Sequence, residues 1–151
     1  MAFAIGLVAL LLFTSLIVKQ ITYDQVQQDL LRKAKRVNFA LMQQKSHNWG
    51  ADGTQQTGAL PANEQELLRF LADSFDAKIT VFDKEGNVTG TSVEQDIVPG
   101  SKVDPAYTAM LGKGETSTGC SFDRQTGAFV FRAVVPGVND KDAIESGILL
   151  E

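Results

Sequence analysis

An arginine interrupts the most apolar segment in the second half of the chain. This segment, AFVFRAVVPGV at residues 128–138, is nearly all apolar and is typical of a strand covered on both faces. Arg132 within it needs an anionic partner, because a buried guanidinium is costly to leave unpaired. That partner is either a protein carboxylate or a ligand carboxylate, which the guanidinium can hold through two parallel hydrogen bonds. A third interpretation is simple exposure of Arg132 at a sheet edge.

The alternation of side chains along this predicted strand determines which residues share a face with Arg132. Successive side chains of a strand point to opposite faces, so Val130, Arg132 and Val134 share one face. Phe129 and Phe131 lie on the other face. Arg132 therefore shares its face with two valines.

Weaker candidates for binding lie in KITVFDKEGNVTGTS, residues 78–92, which predicts a hairpin of two strands joined by a Gly-Asn turn. Thr80 and Phe82 share one face of its first strand, and Thr91 lies across the hairpin. Hydroxyl groups in strands commonly serve structure alone, so Thr80 and Thr91 are weaker candidates for ligand binding. Asp83 is expected to serve the turn.

The residue types needed for catalysis or metal binding are scarce. His47 is the only histidine and Cys120 the only cysteine, so a zinc site of clustered His and Cys is excluded. A nucleophile-and-base mechanism would have to use that one histidine. The stretch GKGETSTG lacks the spacing of a phosphate-binding loop, and Asp140 and Asp142 fall in a predicted turn. We therefore predict that the protein is not an enzyme and uses no cofactor or metal.

Length and composition fit one globular domain. The chain has 151 residues, of which 44% are hydrophobic and 21% charged, which is ordinary for a folded protein. Its net charge is −4, whereas a nucleic-acid-binding protein normally has a basic excess. No nucleic-acid partner is predicted.

The chain opens with an uncharged apolar run, MAFAIGLVALLLFTSLIV, residues 1–18. As a helix this run spans about 27 Å, close to the roughly 30 Å of a bilayer core. A cleaved signal peptide would carry a basic segment before the run and a small-residue cleavage site, and neither feature is found here. A buried core helix of this length, apolar all round, is not expected in so small a protein. We predict a transmembrane anchor. The basic cluster at residues 32–36 would by itself favour a cytoplasmic position for the domain beyond the anchor.

Residues 19–46 lack Gly and Pro and predict a long amphipathic helix. Its main apolar stripe recurs at spacings of three and four residues and comprises Tyr23, Val26, Leu30, Ala34, Val37 and Leu41. A second apolar face comprises Leu31, Phe39 and Met42. Two faces would need two partners, the domain's own sheet and the same helix of a second subunit. One broad core-facing stripe is the alternative.

The rest of the chain alternates short apolar runs with turn residues. Residues 47–62 predict a loop, after which Asn63 is expected to cap a helix at residues 64–76. Asp104 and Pro105 predict the start of another short helix. Strands are predicted in the hairpin and at residues 115–122, 128–138 and 145–151. Short turns between strands imply antiparallel pairing, so the predicted class is α+β.

Three segments together resemble a known family: KITVFDKEGNVTGTS, DPAYTAMLGKGETSTG and FVFRAVVPGVNDKDAIESGILLE. They resemble the single Cache domain, the PAS-like extracellular sensor of bacterial methyl-accepting chemotaxis proteins and sensor histidine kinases. The resemblance covers about residues 20–151. It implies a PAS-like antiparallel five-stranded sheet at residues 63–151, with the long N-terminal helix at 19–46 and a transmembrane helix before it.

The resemblance also implies a function. It indicates an extracytoplasmic domain that senses a small ligand and is held in the bacterial inner membrane. Arg132 makes a carboxylate or an amino acid the expected ligand, and the second apolar face of the long helix predicts a homodimer. The alternative is a non-sensory dimerisation or structural module of a membrane protein. In the family, one sheet face forms the pocket floor and the other packs on the long helix, and we expect the Arg132 face to be the pocket floor. A short helix covers such pockets in the family, which adds Tyr107 to the site. The full set of predicted ligand-binding residues is Arg132, Tyr107, Thr80, Phe82, Thr91 and Val130.

Overall fold

The computed structural model describes residues 2–48, 62–93, 100–138 and 144–151. These ranges contain three helices and five strands. In chain order they are α1 Ala2–Asn48, α2 Ala62–Phe75, β1 Ile79–Asp83, β2 Val88–Thr91, α3 Pro105–Gly112, β3 Ser117–Asp123, β4 Ala128–Val138 and β5 Ile144–Leu150. Most of the predicted loop at 47–62, and the predicted turn at 139–142, lie outside the described residues.

Helix α1 is continuous over 47 residues. It joins the apolar run and the predicted amphipathic helix without a break, which gives one rod about 70 Å long at 1.5 Å per residue. Within the part of the chain that the structure describes, no helix is long and apolar enough to cross a membrane. The anchor at residues 1–18 stays a prediction.

The five strands form one antiparallel sheet in the order β2-β1-β5-β4-β3. The predicted α+β class, with five antiparallel strands and a long N-terminal helix, is thereby confirmed. The last strand in sequence, β5, lies in the centre between β1 and β4. The sheet therefore closes only when the end of the described chain inserts between the two halves.

The turn between β1 and β2 is explained by its residue types. Gly86 adopts φ +82°, which only glycine reaches without strain. The Asp83 carboxylate accepts hydrogen bonds from the backbone N–H and the side-chain amide of Asn87, each at 2.8 Å. Asp83 serves the turn, as predicted.

The predicted N-terminus of α3 is confirmed, and the predicted N-terminus of α2 is wrong. The Asp104 carboxylate accepts a hydrogen bond from Ala106 N–H at 2.9 Å, and Pro105 is the first residue of α3, as expected. Asn63 does not cap α2, because that helix already includes Ala62. The wrong boundary arises because an N-cap residue type also fits the first turn of a helix.

One face of the sheet packs on α1. Leu30, Ala34, Val37 and Leu41 are buried in a cluster that also contains residues of α2, β1, β4 and β5, which confirms the centre of the predicted stripe. The predicted edges of the stripe are partly wrong: Val26 is 38% exposed, and Leu31 of the second face packs against this same cluster. Phe39 remains 63% exposed. The core-facing stripe is therefore wider on one side than its spacing alone predicts.

The opposite face of the sheet lies under α3, and we call it the α3 face. Phe82, Leu111, Val134 and Leu149 form its buried cluster. Partly buried side chains of Val103, Tyr107 and Ile144 surround that cluster. The sheet is thus covered by α1 on one side and, in part, by α3 on the other.

Gly147 gives a test of how closely the α3 face is packed. It pairs with Phe82 across β1 and β5, and a methyl group added there would meet the Phe82 ring, with Cε2 at 2.8 Å, and Leu111 Cδ1 at 2.9 Å. We expect Gly147→Ala to lower the free energy of unfolding by about 1–3 kcal/mol. Urea unfolding measures it. Gly119→Ala on β3, where nothing lies within 4 Å, is the matched control, and equal effects of the two changes would contradict the packing.

Candidate functional site

The side chains of β4 divide between the two faces as the sequence predicts. Ala133 belongs to the buried cluster of α1, and Phe131 packs its ring against Tyr23 of α1 with centroids 5.4 Å apart. Val134 belongs to the cluster under α3. Since side chains alternate along a strand, Arg132 lies on the α3 face.

Arg132 is held by a protein carboxylate. Its Nε donates to Glu151 Oε1 at 2.5 Å, and a terminal guanidinium nitrogen donates to Ser121 Oγ. The second carboxylate oxygen of Glu151 lies 3.8 Å from Lys78 Nζ. The Arg132 side chain is 30% exposed and that of Glu151 18% exposed. The ion pair therefore lies at the border between the apolar cluster and solvent.

Strand pairing explains how these four residues meet. The N–H groups of Lys78 and Glu151 donate to each other's carbonyl oxygens at 2.8 and 2.9 Å, which extends the β1–β5 ladder by one pair. Arg132 pairs with Gly119 and precedes Ala133, the partner of Leu150. Lys78, Glu151, Arg132 and Ser121 consequently form a line across four strands on the α3 face, which we call the polar row.

Three members of the polar row are absent from the sequence-based prediction. Lys78 lies two residues before Thr80, and Glu151 lies two residues after Leu149. This spacing of two would have placed both on the α3 face. Their meeting with Arg132 depends on the strand order, which no local pattern reveals.

Tyr107 of α3 lies close to this ion pair. It packs beside the apolar cluster, and burial raises the pKa of its phenol; the charge of Arg132 lowers the pKa, and the charges of Glu151 and Asp104 raise it. The hydrogen bond to Glu151 is the main cause that raises the pKa of Arg132. The neutral phenol of Tyr107 and the charged guanidinium of Arg132 are thus neighbours on the α3 face.

The remaining predicted site residues differ in what their side chains do. Thr80 is fully buried, and its hydroxyl has no hydrogen-bond partner in the described structure. The Thr91 hydroxyl, opposite Thr80 in the β1–β2 ladder, accepts from Val93 N–H at 3.2 Å. Phe82 is a fully buried member of the α3 cluster. Val130 is half-buried and pairs with Ser121 of β3.

The α3 face therefore combines two chemical surfaces. The apolar cluster lies under α3, with the unsatisfied hydroxyl of Thr80 on the same face. The polar row supplies two cations, Arg132 and Lys78, which share the carboxylate of Glu151. A ligand carboxylate could be bound there in place of Glu151. Among the described residues, no group of three or more His, Cys, Asp or Glu side chains could hold a metal ion.

Two solved structures share this architecture. The chain is similar to an extracellular ligand binding receptor from Desulfohalobium retbaense, with a TM-score of 0.61 and 12% identity over 87% of this chain. This chain spans 23% of that receptor's length. It is also similar to the sensor domain of E. coli DcuS, with a TM-score of 0.54 and 17% identity over 83% of this chain and 89% of that one.

These likenesses show the fold. The chain has the PAS-like fold of extracellular sensor domains. The fold that the Cache resemblance implies is confirmed. No family model matches the chain, and no curated protein matches it. At 12% and 17% identity, the likeness assigns no binding residue.

The ion pair between Arg132 and Glu151 can be tested as a unit. We expect Arg132→Ala and Glu151→Gln each to lower stability, and the double variant to show a coupling energy of about 1–2 kcal/mol, because the pair is charged, hydrogen-bonded and partly screened by solvent. Urea unfolding of the four proteins measures it.

Arg124→Ala, at an exposed turn position, is the matched control and should change stability by less than about 0.5 kcal/mol. Additive effects of the two changes at positions 132 and 151 would show that the pair contributes nothing.

Proposed function

We propose that this protein is the extracytoplasmic small-ligand-sensing domain of a transmembrane signalling receptor, a chemoreceptor or a sensor kinase. The observation that carries the proposal is the polar row at the edge of the α3 cluster. It places two cations beside the Glu151 carboxylate on the sheet face opposite α1. Tyr107 of α3 is close enough for the charges of Arg132 and Glu151 to shift the pKa of its phenol. The structural likeness to sensor domains supports the same function through the fold alone.

The ligand class is inferred from the polar row. A small carboxylate or an amino acid would present its carboxylate to Arg132, and Tyr107 and Lys78 would supply further donors. The ligand would compete with Glu151 for the guanidinium, since both are carboxylates. The partly buried side chains around the cluster, Val103, Tyr107 and Ile144, would contact the rest of a small ligand.

A path from this site to α1 is available through β4. Arg132 on the α3 face is followed by Ala133, which packs in the α1 cluster. Farther along β4, the carbonyl oxygen of Pro136 accepts a hydrogen bond from Asn38 of α1 at 3.2 Å. Ligand binding that shifts β4 would bias the position of α1 relative to the sheet, which is how ligand binding selects between conformations.

Membrane attachment and dimerisation belong to the same proposal. Large apolar side chains of α1 are exposed at Leu10, Leu11, Phe13, Ile17, Val18 and Ile21, as expected for a surface that lipid covers. Phe39, 63% exposed on the far part of α1, would pack on the same helix of a second copy. Residues 1–18 would then anchor a homodimer in the inner membrane, with the sheet on the periplasmic side.

A non-sensory structural module is the second candidate. It is favoured by the fact that Glu151 already neutralises Arg132 and that the α3 cluster is filled by the protein's own side chains. This candidate predicts that no small carboxylate stabilises the folded chain.

Ligand-induced stabilisation separates these two functions. We expect a member of a library of small carboxylates and amino acids to raise the urea midpoint of the full chain in lipid nanodiscs. A ligand at one hundred times its Kd adds about 2.7 kcal/mol. Arg132→Ala should abolish this gain, whereas Arg124→Ala should preserve it. If the whole library leaves the midpoint unchanged, or if Arg132→Ala responds as the native chain does, the proposed site is wrong.

The position of the domain relative to the membrane has its own test. We expect a reporter enzyme that is active only in the periplasm to be active when fused after Glu151, because residues 1–18 would carry the domain across the bilayer. Alkaline carbonate washing should leave the fusion in the membrane fraction. Activity of a reporter that works only in the cytoplasm would reverse the orientation.

A further inference from the structure

An exposed row of aromatic side chains lies at one end of the sheet. The ring of Tyr23 on α1 is 6.0 Å from that of Phe129 on β4, and Phe129 is 5.2 Å from Phe122 on β3. Phe129 is 56% and Phe122 54% exposed. These three residues, which we call the aromatic row, leave two large rings in solvent beside the β3–β4 turn.

The alignment of β4 with α1 fixes where this row lies along the helix. Tyr23 contacts Phe129 and Phe131, and Asn38 contacts Pro136. These two contacts are about 22 Å apart along α1 and about 20 Å apart along β4, at the usual rises of helix and strand. The strand and the helix therefore run side by side in the same direction.

This alignment places the β3–β4 turn at the end of the apolar run. Two strand residues, about 7 Å, separate Ala128 from the level of Tyr23. The same distance along α1, about five residues, reaches Val18, after which Lys19 is the first charge. The turn at residues 124–127 lies at the level of Val18 or beyond it, toward the N-terminus of α1.

The turn itself is well supported. The Asp123 carboxylate accepts hydrogen bonds from Gln125 N–H at 2.8 Å and from the Thr126 hydroxyl at 2.9 Å. Gly127 adopts φ +68° and donates to the Asp123 carbonyl oxygen at 2.9 Å. These bonds give the tip a defined shape and place Arg124 on it, exposed to solvent.

We infer that the β3–β4 hairpin rests on the bilayer surface, with Phe122 and Phe129 in the interfacial layer of the phospholipids. This inference depends on the anchor in the proposed function, because residues 1–18 set the level of the membrane. Tyr is enriched at the interface between headgroups and acyl chains, and Phe on the apolar face of interfacial segments is buried at the same boundary. Arg124 and Lys19 lie at the level of the headgroup phosphates, which suits their charge.

A second copy of the chain is a less suitable occupant. The exposed residue offered for dimerisation, Phe39, is 16 residues from Tyr23, about 24 Å farther along α1. The aromatic row is therefore remote from that face and adjacent to the end of the apolar run. A hairpin in contact with lipid would hold the sheet at a fixed height above the bilayer while α1 moves.

Depth-dependent fluorescence quenching tests this inference on the full chain in phosphatidylcholine–phosphatidylglycerol vesicles. Trp49, the only tryptophan, is replaced by Phe, and single probes are introduced as Phe129→Trp and Phe122→Trp. The matched control is Phe70→Trp, on α2 and 65% exposed. We expect lipids brominated near the headgroup to quench the probes at 129 and 122 about twofold and to leave the probe at 70 unchanged.

The outcomes separate the hairpin from the anchor. Unquenched probes at 129 and 122 in vesicles that retain the protein after carbonate washing would overturn the hairpin contact and leave the anchor standing. Loss of the protein from washed vesicles would overturn both. Probe emission that depends on the protein-to-lipid ratio and not on bromination would assign the aromatic row to a second copy, and the inference would be wrong.

Discussion

The alternation of side chains along β4 couples the two sides of the sheet. Ala133 and Val135 are buried in the cluster with α1, while the neighbouring Val134 is buried in the cluster with α3. Because a strand cannot shift by one residue without exchanging its two faces, both clusters fix the same register. That register places Arg132 on the α3 face and one residue away from the packing on α1.

The same constraint connects the candidate site to the helix. The central position of β5 brings Glu151 next to both Arg132 and Lys78, and α3 holds Tyr107 over the neighbouring cluster. On the reverse side, α1 is buried against β4 in one cluster that contains Leu30, Ala34, Val37 and Leu41 of α1 and Ala133 and Val135 of β4. Close packing transmits small displacements, because packed cores change between discrete arrangements and do not deform smoothly.

Much of this fold is determined by local signals in the sequence. The turn chemistry of Asp83 and Gly86, the capping by Asp104 and the alternation along β4 all depend on residues close in the chain, so their outcome was predictable. The partner of Arg132 was not, because Glu151 reaches it only through the pairing of β5 with both β1 and β4. The edges of the α1 stripe also depend on the tertiary packing that covers Leu31 and leaves Val26 exposed. The local pattern therefore predicted Arg132 and the face on which it lies. Its partner, Glu151, depends on the order of the strands in the sheet.

In the proposed function, ligand binding on the α3 face changes how α1 sits on the sheet. Hydrogen exchange of the full chain in lipid nanodiscs, with and without a carboxylate that stabilises it, tests this most directly. We expect slower exchange in α3 and β4 on ligand addition, together with altered exchange in α1 between Leu30 and Leu41. Unchanged exchange in this part of α1, with or without protection of α3 and β4, would show that binding is not coupled to the helix.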